Sequence, residues 1–443
     1  MTQLNETATM NILSLLTASG GMHAWAIATA AVVSAGAALV GTLLVVRRMS
    51  LLGDAISHAV LPGIVLAVLA GGRPGGAAVL AGAVAAALVT VWLTQVLRSQ
   101  AGLAEDAGAG VVFTTLFAIG VVIVTAAASR IDLDPSCVLY GILELVPFDT
   151  VSVGSAPLGP VEVPRAFLTG AAVLALVSLA ALLTWKMQVF TAFDPQAARA
   201  AGVPVGLCTT GLLAATALST VAGFEAVGAI LVVAMLVVPA AAAELLVRRL
   251  HWMAVVAMLL AVVGSVVGYL AAWRWNTSAA GMIAVVLGIE YLAAATLAPD
   301  DGLLSRALGR LWLAWRVGCE DRLAALWRAE EAAAAGPPSA SRPTTGLWDG
   351  LMGFWLARTG RIVAADDGWK LSPRGRAEAE VVVRSHRLWE AWLGRHVDLP
   401  SDHLHPPAEW VEHHLGAAVR TRIEADVGWQ ASDPHGRDIP PER

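Results

Sequence analysis

The sequence predicts an all-α polytopic membrane bundle of about eight to nine spans, followed by a small, polar, α-rich domain. Of the 443 residues, 57% are hydrophobic and only 14% are charged, which excludes both a disordered chain and an ordinary soluble globule. Residues 1–299 contain only 24 of the 63 Asp, Glu, Lys and Arg residues. We therefore divide the chain into a membrane domain at 1–299, an amphipathic helix and linker at 300–345, and a polar domain at 346–443.

Charge and cysteine content exclude further classes of protein. The formal net charge of −5 gives no indication of a nucleic-acid-binding protein, since such proteins are normally basic. The three cysteines, Cys137, Cys208 and Cys319, are far apart in the sequence. Neither a disulfide framework nor a thiolate zinc site is therefore indicated.

Nine apolar runs in the membrane domain each approach the ~20 residues that a bilayer span requires. They lie near residues 25–46, 51–70, 76–97, 109–127, 166–185, 207–223, 226–247, 252–273 and 278–298. Arg47, Arg98, Lys186 and Arg248 fall at alternate ends of these runs, which the positive-inside rule assigns to the cytoplasm. With nine spans, the amino terminus lies outside and the polar domain inside. Segment 136–148 is too short to cross and is predicted to be a re-entrant or interfacial helix.

The second run contains the clearest ionisable motif, GDAISHAVLPG at residues 53–63. Asp54 and His58 are four residues apart and therefore share one face of a helix. Ionisable groups inside a membrane bundle commonly mark a transport path, and a carboxylate with an imidazole can bind a divalent transition metal. Pro62 and Gly63 are expected to loosen the helix next to them. The alternative is an interior hydrogen bond that only joins helices.

A second motif, FDPQAARAAGVP at residues 193–204, lies on the side assigned to the cytoplasm. Asp194 is a helix N-cap residue and Pro195 fits the first helical position. Arg199 lies in the short helix, and Gly202 ends it. Such a surface helix can dock in the groove of a partner protein, and the alternative is a plain capped connector.

The polar part of the chain is predicted to begin with an amphipathic helix at 303–334 and a proline-containing linker at 333–345. Two short strands flank a turn at 366–368, and Ser372 caps the helix that follows. Since this order is typical of a wing, we predict a small cytoplasmic winged-helix, metal-sensor-like domain.

Seven of the ten histidines lie in the polar domain, and several share a helix face with a glutamate. The candidate metal ligands are His386, Glu390, His405, Glu409, Glu412 and His413. Carboxylates and imidazoles without cysteine favour Mn²⁺, Fe²⁺ or Zn²⁺. The alternative is a pair of solvated, charged helices.

Four segments of the membrane domain resemble the membrane subunits of bacterial manganese, zinc and iron ABC importers. These segments are 53–63, 194–202, 225–240 and 276–282, and the resemblance covers residues 10–305 in order. It implies a permease in the bacterial cytoplasmic (inner) membrane that pairs with a second permease copy. It also implies two cytoplasmic ATPase subunits as partners, and an extracytoplasmic metal-binding protein that delivers the metal.

The same resemblance implies roles for single residues. Asp54 and His58 match residues that line the metal path, and Glu225 is a further candidate ligand. Asp194, Pro195, Arg199 and Gly202 match the coupling helix that the ATPase grips. The predicted spans place Asp54 near the cytoplasmic end of its helix and Glu225 near the outer end of its own.

No GxxxxGK[ST] motif occurs in the chain, so no ATP is expected to bind here through a Walker loop. The chain is therefore expected to be a transport subunit rather than an enzyme, with ATP hydrolysis in a separate subunit. A secondary transporter driven by an ion gradient is the alternative.

The polar domain resembles the metal-binding and dimerisation part of the diphtheria toxin repressor family. The matching segments are 371–376, 384–390, 405–415 and 433–440, within a resemblance that runs from 346 to 440. It implies one metal held by residues matching His386, Glu390 and His405. A second metal would be held by residues matching Glu409, Glu412 and His413.

The position of the DNA-reading helix is occupied by LWDGLMGFWLAR at 347–358, which has three large aromatic residues and one arginine. Base recognition needs polar donors and phosphate contacts, so this run argues against DNA as a partner. We therefore expect an importer permease for a divalent metal, manganese preferred and zinc or iron possible, with a metal-sensing tail. The alternative is a membrane-anchored, metal-dependent transcriptional regulator.

Overall fold

The computed structural model divides the chain into two compact units, Met1–Ser305 and Arg306–Arg443. The structure describes residues 20–71, 77–101, 105–127, 143–153, 161–300, 302–335, 346–365, 368–397, 408–409, 411–428 and 432–441. Each unit is described by itself below.

The first unit is a helical bundle with one small hairpin. Its elements, in chain order, are α1 (Gly20–Val46), α2 (Leu51–Ala59), α3 (Leu61–Leu69), α4 (Ala77–Ala101), α5 (Glu105–Ala127), β1 (Thr150–Val153), β2 (Val161–Pro164), α6 (Arg165–Phe193), α7 (Pro195–Ala200), α8 (Val205–Val227), α9 (Ala229–Leu246), α10 (Leu250–Trp275) and α11 (Ala279–Leu297). Among the described residues, eight helices are long and apolar enough to cross a membrane, namely α1, α4, α5, α6, α8, α9, α10 and α11. The prediction of about eight to nine spans is confirmed.

The second apolar run differs from the other eight because it is divided into α2 and α3, which meet at Val60. Each has nine residues, so each is about 14 Å long and covers roughly half of a ~30 Å hydrocarbon core. Pro62 lies in the first turn of α3. Since proline has no N–H, it cannot donate to the carbonyl of His58, four residues earlier. The sequence therefore breaks this helix directly after the ionisable motif.

Small residues allow the central helices to approach closely. Gly41 of α1 lies against the backbone of Leu236 in α9, and a Cβ atom there would clash with the Leu236 carbonyl oxygen. Gly268 of α10 lies in the same way against Ile283 of α11. Lipid offers no hydrophobic drive for helix association, so such close packing is a main source of cohesion.

An antiparallel hairpin precedes α6 and was not predicted. Thr150 of β1 pairs with Pro164 of β2, and the Arg165 N–H donates to the Asp149 carbonyl at 2.9 Å. Within the predicted re-entrant segment 136–148, residues 136–142 lie outside the described residues. The remainder forms a 3₁₀ helix at Leu143–Phe148.

The second unit is a small helical domain with one hairpin. Its elements are α12 (Leu303–Ala335, which begins at the end of the first unit), α13 (Leu347–Arg358), β3 (Ile362–Ala365), β4 (Gly368–Leu371), α14 (Pro373–His396) and α15 (Ala417–Val427). Buried apolar side chains of α12, α13, the hairpin and α14 form one core, including Leu323, Leu356, Ile362 and Leu371.

The hairpin and the following helix have the predicted local order. Ile362 pairs with Leu371, and the Ser372 hydroxyl accepts the Gly375 N–H at 3.0 Å as the N-cap of α14. Residues 366–367 of the predicted turn lie outside the described residues. The winged-helix assignment as a whole stays a prediction.

Candidate functional site

His58 of α2 lies inside the bundle, level with the middle of the neighbouring helix α5. Its ring centroid is 6.2 Å from that of Phe113 and 5.8 Å from that of Phe117. Both phenylalanines fall in the middle third of α5, which extends from Glu105 to Ala127. Asp54 lies one turn earlier on α2, and its side chain is outside the described part of the chain.

Close backbone contacts hold the broken helix in place. Gly53 lies against the Leu236 side chain of α9, and Gly63 lies against the backbone of Gly82 in α4. Gly120 of α5 faces Leu61 and Pro62, whose nearest atoms are 3.0 Å from where a Cβ would be. The segment that carries His58 is therefore packed closely against three neighbouring helices, α4, α5 and α9.

Glu225 lies at one end of the bundle, two residues before the end of α8. Its side chain is exposed and interacts electrostatically with Asp149 and Arg165. These two residues form an ion pair at 3.6 Å beside the hairpin. The structure thus places Glu225 at the end of α8 beside the hairpin, whereas His58 lies level with the middle of α5. Among the described side chains, the bundle contains no group of three closely spaced His, Cys, Asp or Glu ligands.

The predicted short surface helix is α7, at the opposite end of α8 from Glu225. One carboxylate oxygen of Asp194 accepts the N–H groups of Gln196 and Ala197 at 3.0 and 2.9 Å. Pro195 occupies the first helical position, and Gly202 adopts φ +80° where the chain leaves the helix. Arg199 is exposed. The capping and termination follow the sequence pattern.

A cavity of about 470 Å³ lies beside α7, and Pro195 and Arg199 of that helix line it. Arg47, at the end of α1, lines this cavity and donates to Gln188 Oε1 at 2.6 Å and to Thr191 Oγ1 at 2.5 Å on α6. It also donates to Thr209 Oγ1 on α8 at 3.1 Å. One guanidinium thus ties three helices together next to the surface helix.

In the second unit, three predicted ligands form a buried network. His386 Nε2 lies 3.1 Å from Glu390 Oε1 on the same helix, and His386 Nδ1 lies 2.5 Å from Glu412 Oε2. All three side chains are less than 6% exposed. Burial disfavours the charged ring, yet the hydrogen bonds to Glu390 and Glu412 raise the pKa of His386 above its usual value.

His413 is surrounded by acids from α12. Its Nδ1 lies 2.7 Å from Glu320 Oε2, and its Nε2 lies 3.0 Å from Asp321 Oδ1 and 3.4 Å from Glu412 Oε1. Burial opposes the charge, but the hydrogen bonds to Asp321 and Glu320 raise the pKa of His413 to about 9. Ligand atoms of Asp321, Glu412 and His413 all lie within 4.8 Å of one another.

This arrangement differs from the predicted ligand sets in three respects. Glu320 and Asp321 were not among the predicted ligands, although adjacent acids on an amphipathic helix were a visible signal. Glu412 contacts both histidines, so four predicted residues form one network rather than two separate groups. Glu409 is exposed, and His405 lies outside the described residues.

The donor set of the network fits a first-row divalent metal. It consists of imidazole nitrogens and carboxylate oxygens without thiolate, which suits Mn²⁺, Fe²⁺ or Zn²⁺. Positive charge next to the acids comes from Arg328, whose Nη2 lies 3.7 Å from Glu412 Oε2. Arg316 also pairs with Glu320, at 3.6 Å between Nε and Oε1, and a metal ion would displace the protons that the raised pKa values keep on His386 and His413.

Both parts of the chain match known proteins. The model of the ABC 3 transport family matches residues 21–155 and 161–298, and that of the iron-dependent repressor metal-binding and dimerisation domain matches residues 372–441.

Two curated relatives match the membrane part. The chain is 41% identical over 289 residues to the manganese transport system membrane protein MntD of Bacillus subtilis, covering 65% of this chain and 96% of that protein. It is 35% identical to the zinc transport system membrane protein TroD of Treponema pallidum, covering 63% of this chain and 75% of that protein.

A solved structure also matches, that of PsaBC from Streptococcus pneumoniae in complex with Fab. The TM-score is 0.52 at 28% identity, over 63% of this chain and 92% of that chain. The chain therefore belongs to the ABC 3 transport family, as a membrane permease fused to a domain like the metal-binding part of iron-dependent repressors.

Proposed function

We propose that this chain is the permease of an importer for a divalent transition metal, with manganese preferred and zinc or iron as alternatives. The position of His58 carries the proposal, because it lies at mid-bundle on a broken helix, one turn from Asp54. Ionisable groups at this depth are costly in lipid and are commonly retained for a passing ion. The relatives' names, which include manganese and zinc transport proteins, support the cargo.

In this mechanism, the metal ion is the cargo and the chain's own residues receive it. Asp54 supplies a carboxylate and His58 a neutral imidazole, both of which replace water around the ion. Phe113 and Phe117 flank the His58 ring and limit its rotation. The break after Val60 gives α2 and α3 a joint at which the path can open to one side or the other.

We assign the energy source and the delivery of metal to partner proteins. The capped, exposed helix α7 would dock in a cytoplasmic ATPase subunit, and Arg47 would pass its movement to α1, α6 and α8. An extracytoplasmic metal-binding protein would deliver the ion at the opposite end, and a second permease copy would complete the pathway. The chain would then be a bacterial inner-membrane protein, and its second unit would lie in the cytoplasm.

The test is metal uptake into vesicles that contain the full chain, its ATPase and the metal-binding protein. Replacing both path residues (Asp54→Asn with His58→Gln) should abolish ATP-dependent uptake of Mn²⁺. The matched control is His251→Gln, since His251 is exposed at the start of α10. Undiminished uptake by the double variant would overturn the assignment.

We further propose that the second unit senses cytoplasmic metal and slows transport when metal is abundant. His386, Glu390, Asp321, Glu412 and His413 would hold the ion, which neutralises the gathered carboxylates and ties α12, α14 and residues 411–413 together. A coupling of ~1–3 kcal/mol is enough for such control.

The test compares uptake by the full chain, by a chain ending at residue 305, and by the variant His413→Gln. Both altered proteins should import metal at the full rate and continue when vesicles are preloaded with Mn²⁺. The control is Glu378→Gln, a change in α14 outside the network that should keep the inhibition. If the shortened chain is still inhibited by internal metal, the sensing role is wrong.

A further inference from the structure

The first third of α12 is an exposed amphipathic helix segment. Leu308, Leu311 and Trp312 are 55%, 60% and 63% exposed, and their spacing places them on one face. Arg306 and Arg310 lie on the opposite face of the same turns, next to the exposed Leu303 and Leu313. Single exposed leucines are ordinary, but three adjacent large apolar side chains on one helix face require a covering partner.

The apolar face continues onto α13. The Trp315 ring lies 6.3 Å from that of Trp348 and 6.2 Å from that of Trp355, so these indoles connect the two helices. On α13, Trp348, Leu351 and Phe354 are 63%, 50% and 64% exposed. We call this surface the Trp–Leu face, and define it by Leu308, Leu311, Trp312, Trp348, Leu351 and Phe354.

Chain connectivity limits how far the start of α12 can lie from the end of the last membrane span. Helix α11 ends at Leu297 and α12 begins at Leu303, so only residues 298–302 separate a membrane span from this segment. Five extended residues reach at most ~18 Å. The start of α12 is therefore joined to the last membrane span by a short connection.

The chemistry of the segment matches a lipid interface. Leucine and tryptophan on one face with arginine on the other is the pattern of helices that lie in the plane of a membrane surface. The Arg316 guanidinium lies over the Trp312 ring at 5.5 Å, which adds a cation at the edge of the face. These arginines would attract anionic headgroups, while the indoles enter the boundary between headgroups and acyl chains.

We propose that the Trp–Leu face binds the surface of the membrane that the bundle spans, with a preference for anionic lipid. Glu320 and Asp321 follow Trp312 on the same helix by about two turns. Lipid binding therefore fixes one wall of the acidic cluster around His413 relative to the bilayer. The other wall, residues 411–413, is then the part that a metal ion draws in.

The experiment uses the full chain in vesicles, with Cys137, Cys208 and Cys319 replaced by alanine. An environment-sensitive fluorophore is attached at Leu308→Cys, at Trp348→Cys or at the control Arg310→Cys, which is exposed on the arginine side of α12. Lipids with brominated acyl chains quench only fluorophores that touch the bilayer. Metal uptake by each labelled protein confirms that it is folded.

We expect a blue-shifted emission and bromolipid quenching at positions 308 and 348 but not at 310. Quenching should increase when phosphatidylglycerol replaces part of the phosphatidylcholine. Absence of quenching at 308 and 348 would overturn the proposal. This holds whether the fluorophores are exposed to water or covered by protein. Equal quenching at 308 and 310 would overturn it as well, because a bound amphipathic helix has one side in water.

Discussion

His386 and Glu412 are hydrogen-bonded across 26 residues of sequence, with 2.5 Å between Nδ1 and Oε2. The other carboxylate oxygen of Glu412 lies 3.4 Å from Nε2 of His413. One buried carboxylate therefore joins both histidines of the network. A change at Glu412 must therefore alter the contacts of both His386 and His413. A change at Glu390 alters only those of His386.

The first prediction follows from this link. Glu412→Gln should lower the affinity of the full chain for regulatory Mn²⁺ by at least about tenfold, the size expected even for a group that only orients a metal ligand. Equilibrium dialysis with elemental analysis measures the loss. Glu378→Gln is the control and should bind metal normally, because Glu378 is a half-buried residue of α14 that pairs with Arg361 and Arg374 outside the network. Unchanged affinity in Glu412→Gln would exclude this carboxylate from the site.

The second prediction concerns the pH dependence of the metal-free protein. Hydrogen bonds to Asp321 and Glu320 outweigh burial and raise the pKa of His413 to about 9, above the ~6.5 of an unfolded histidine. The protonated ring therefore stabilises the fold fully below about pH 6.5, and this contribution is lost as the pH rises toward 9.

Hydrogen exchange of the metal-free full chain tests this at pH 6.5 and pH 9, after correction for the intrinsic exchange rate. Peptides from residues 411–428 should exchange faster at the higher pH. His413→Gln should exchange fast at both values and lose the pH dependence. Protection that is equal at both values in the unaltered chain would contradict the prediction.

Hydropathy predicted the bundle well because a bilayer forces every span to be long and apolar. The exception was run 51–70, where the helix is interrupted at Val60, just before Pro62, and forms α2 and α3 instead of one continuous helix. The hairpin was missed for a related reason. Strands TVSV and VEVP have only four residues each, too few for a periodic pattern to stand out.

The candidate sites were predictable only as far as local spacing reaches. His386 and Glu390 contact each other at i, i+4, as their positions on one helix require. Glu320 and Asp321 approach His413 from more than 90 residues away, and no sequence period encodes such a contact. Glu225 was a candidate ligand only through the family resemblance, and the structure places it at the end of α8 beside Asp149 and Arg165.

The third prediction tests the proposed coupling helix. Asp194→Ala removes the acceptor for two backbone N–H groups of α7, which costs about 1 kcal/mol of helix stability. We expect weaker copurification with the ATPase and slower uptake. Asp194→Ser restores an N-cap and should recover most of both. If serine and alanine behave alike, the carboxylate itself contacts the partner, and if neither has an effect, α7 is a plain connector.

The fourth prediction separates packing from helix propensity in the bundle. Gly41→Ala would press a methyl group into the Leu236 carbonyl between α1 and α9, and overpacking of this kind costs about 1–3 kcal/mol. Gly211→Ala is the matched control, because Gly211 lies on α8 with open space around it. Alanine favours a helix over glycine by ~1 kcal/mol, so the control should be neutral or more stable.

Thermal unfolding of the purified full chain should therefore shift in opposite directions for the two variants, although each adds the same methyl group. Gly41→Ala should lower the midpoint and reduce the yield of folded protein, since the rigid backbone of α9 cannot move aside. Lower stability in both variants would mean that helix-interior glycines are needed for bending. Higher stability in both would mean that α1 and α9 are not in the close contact on which the central packing depends.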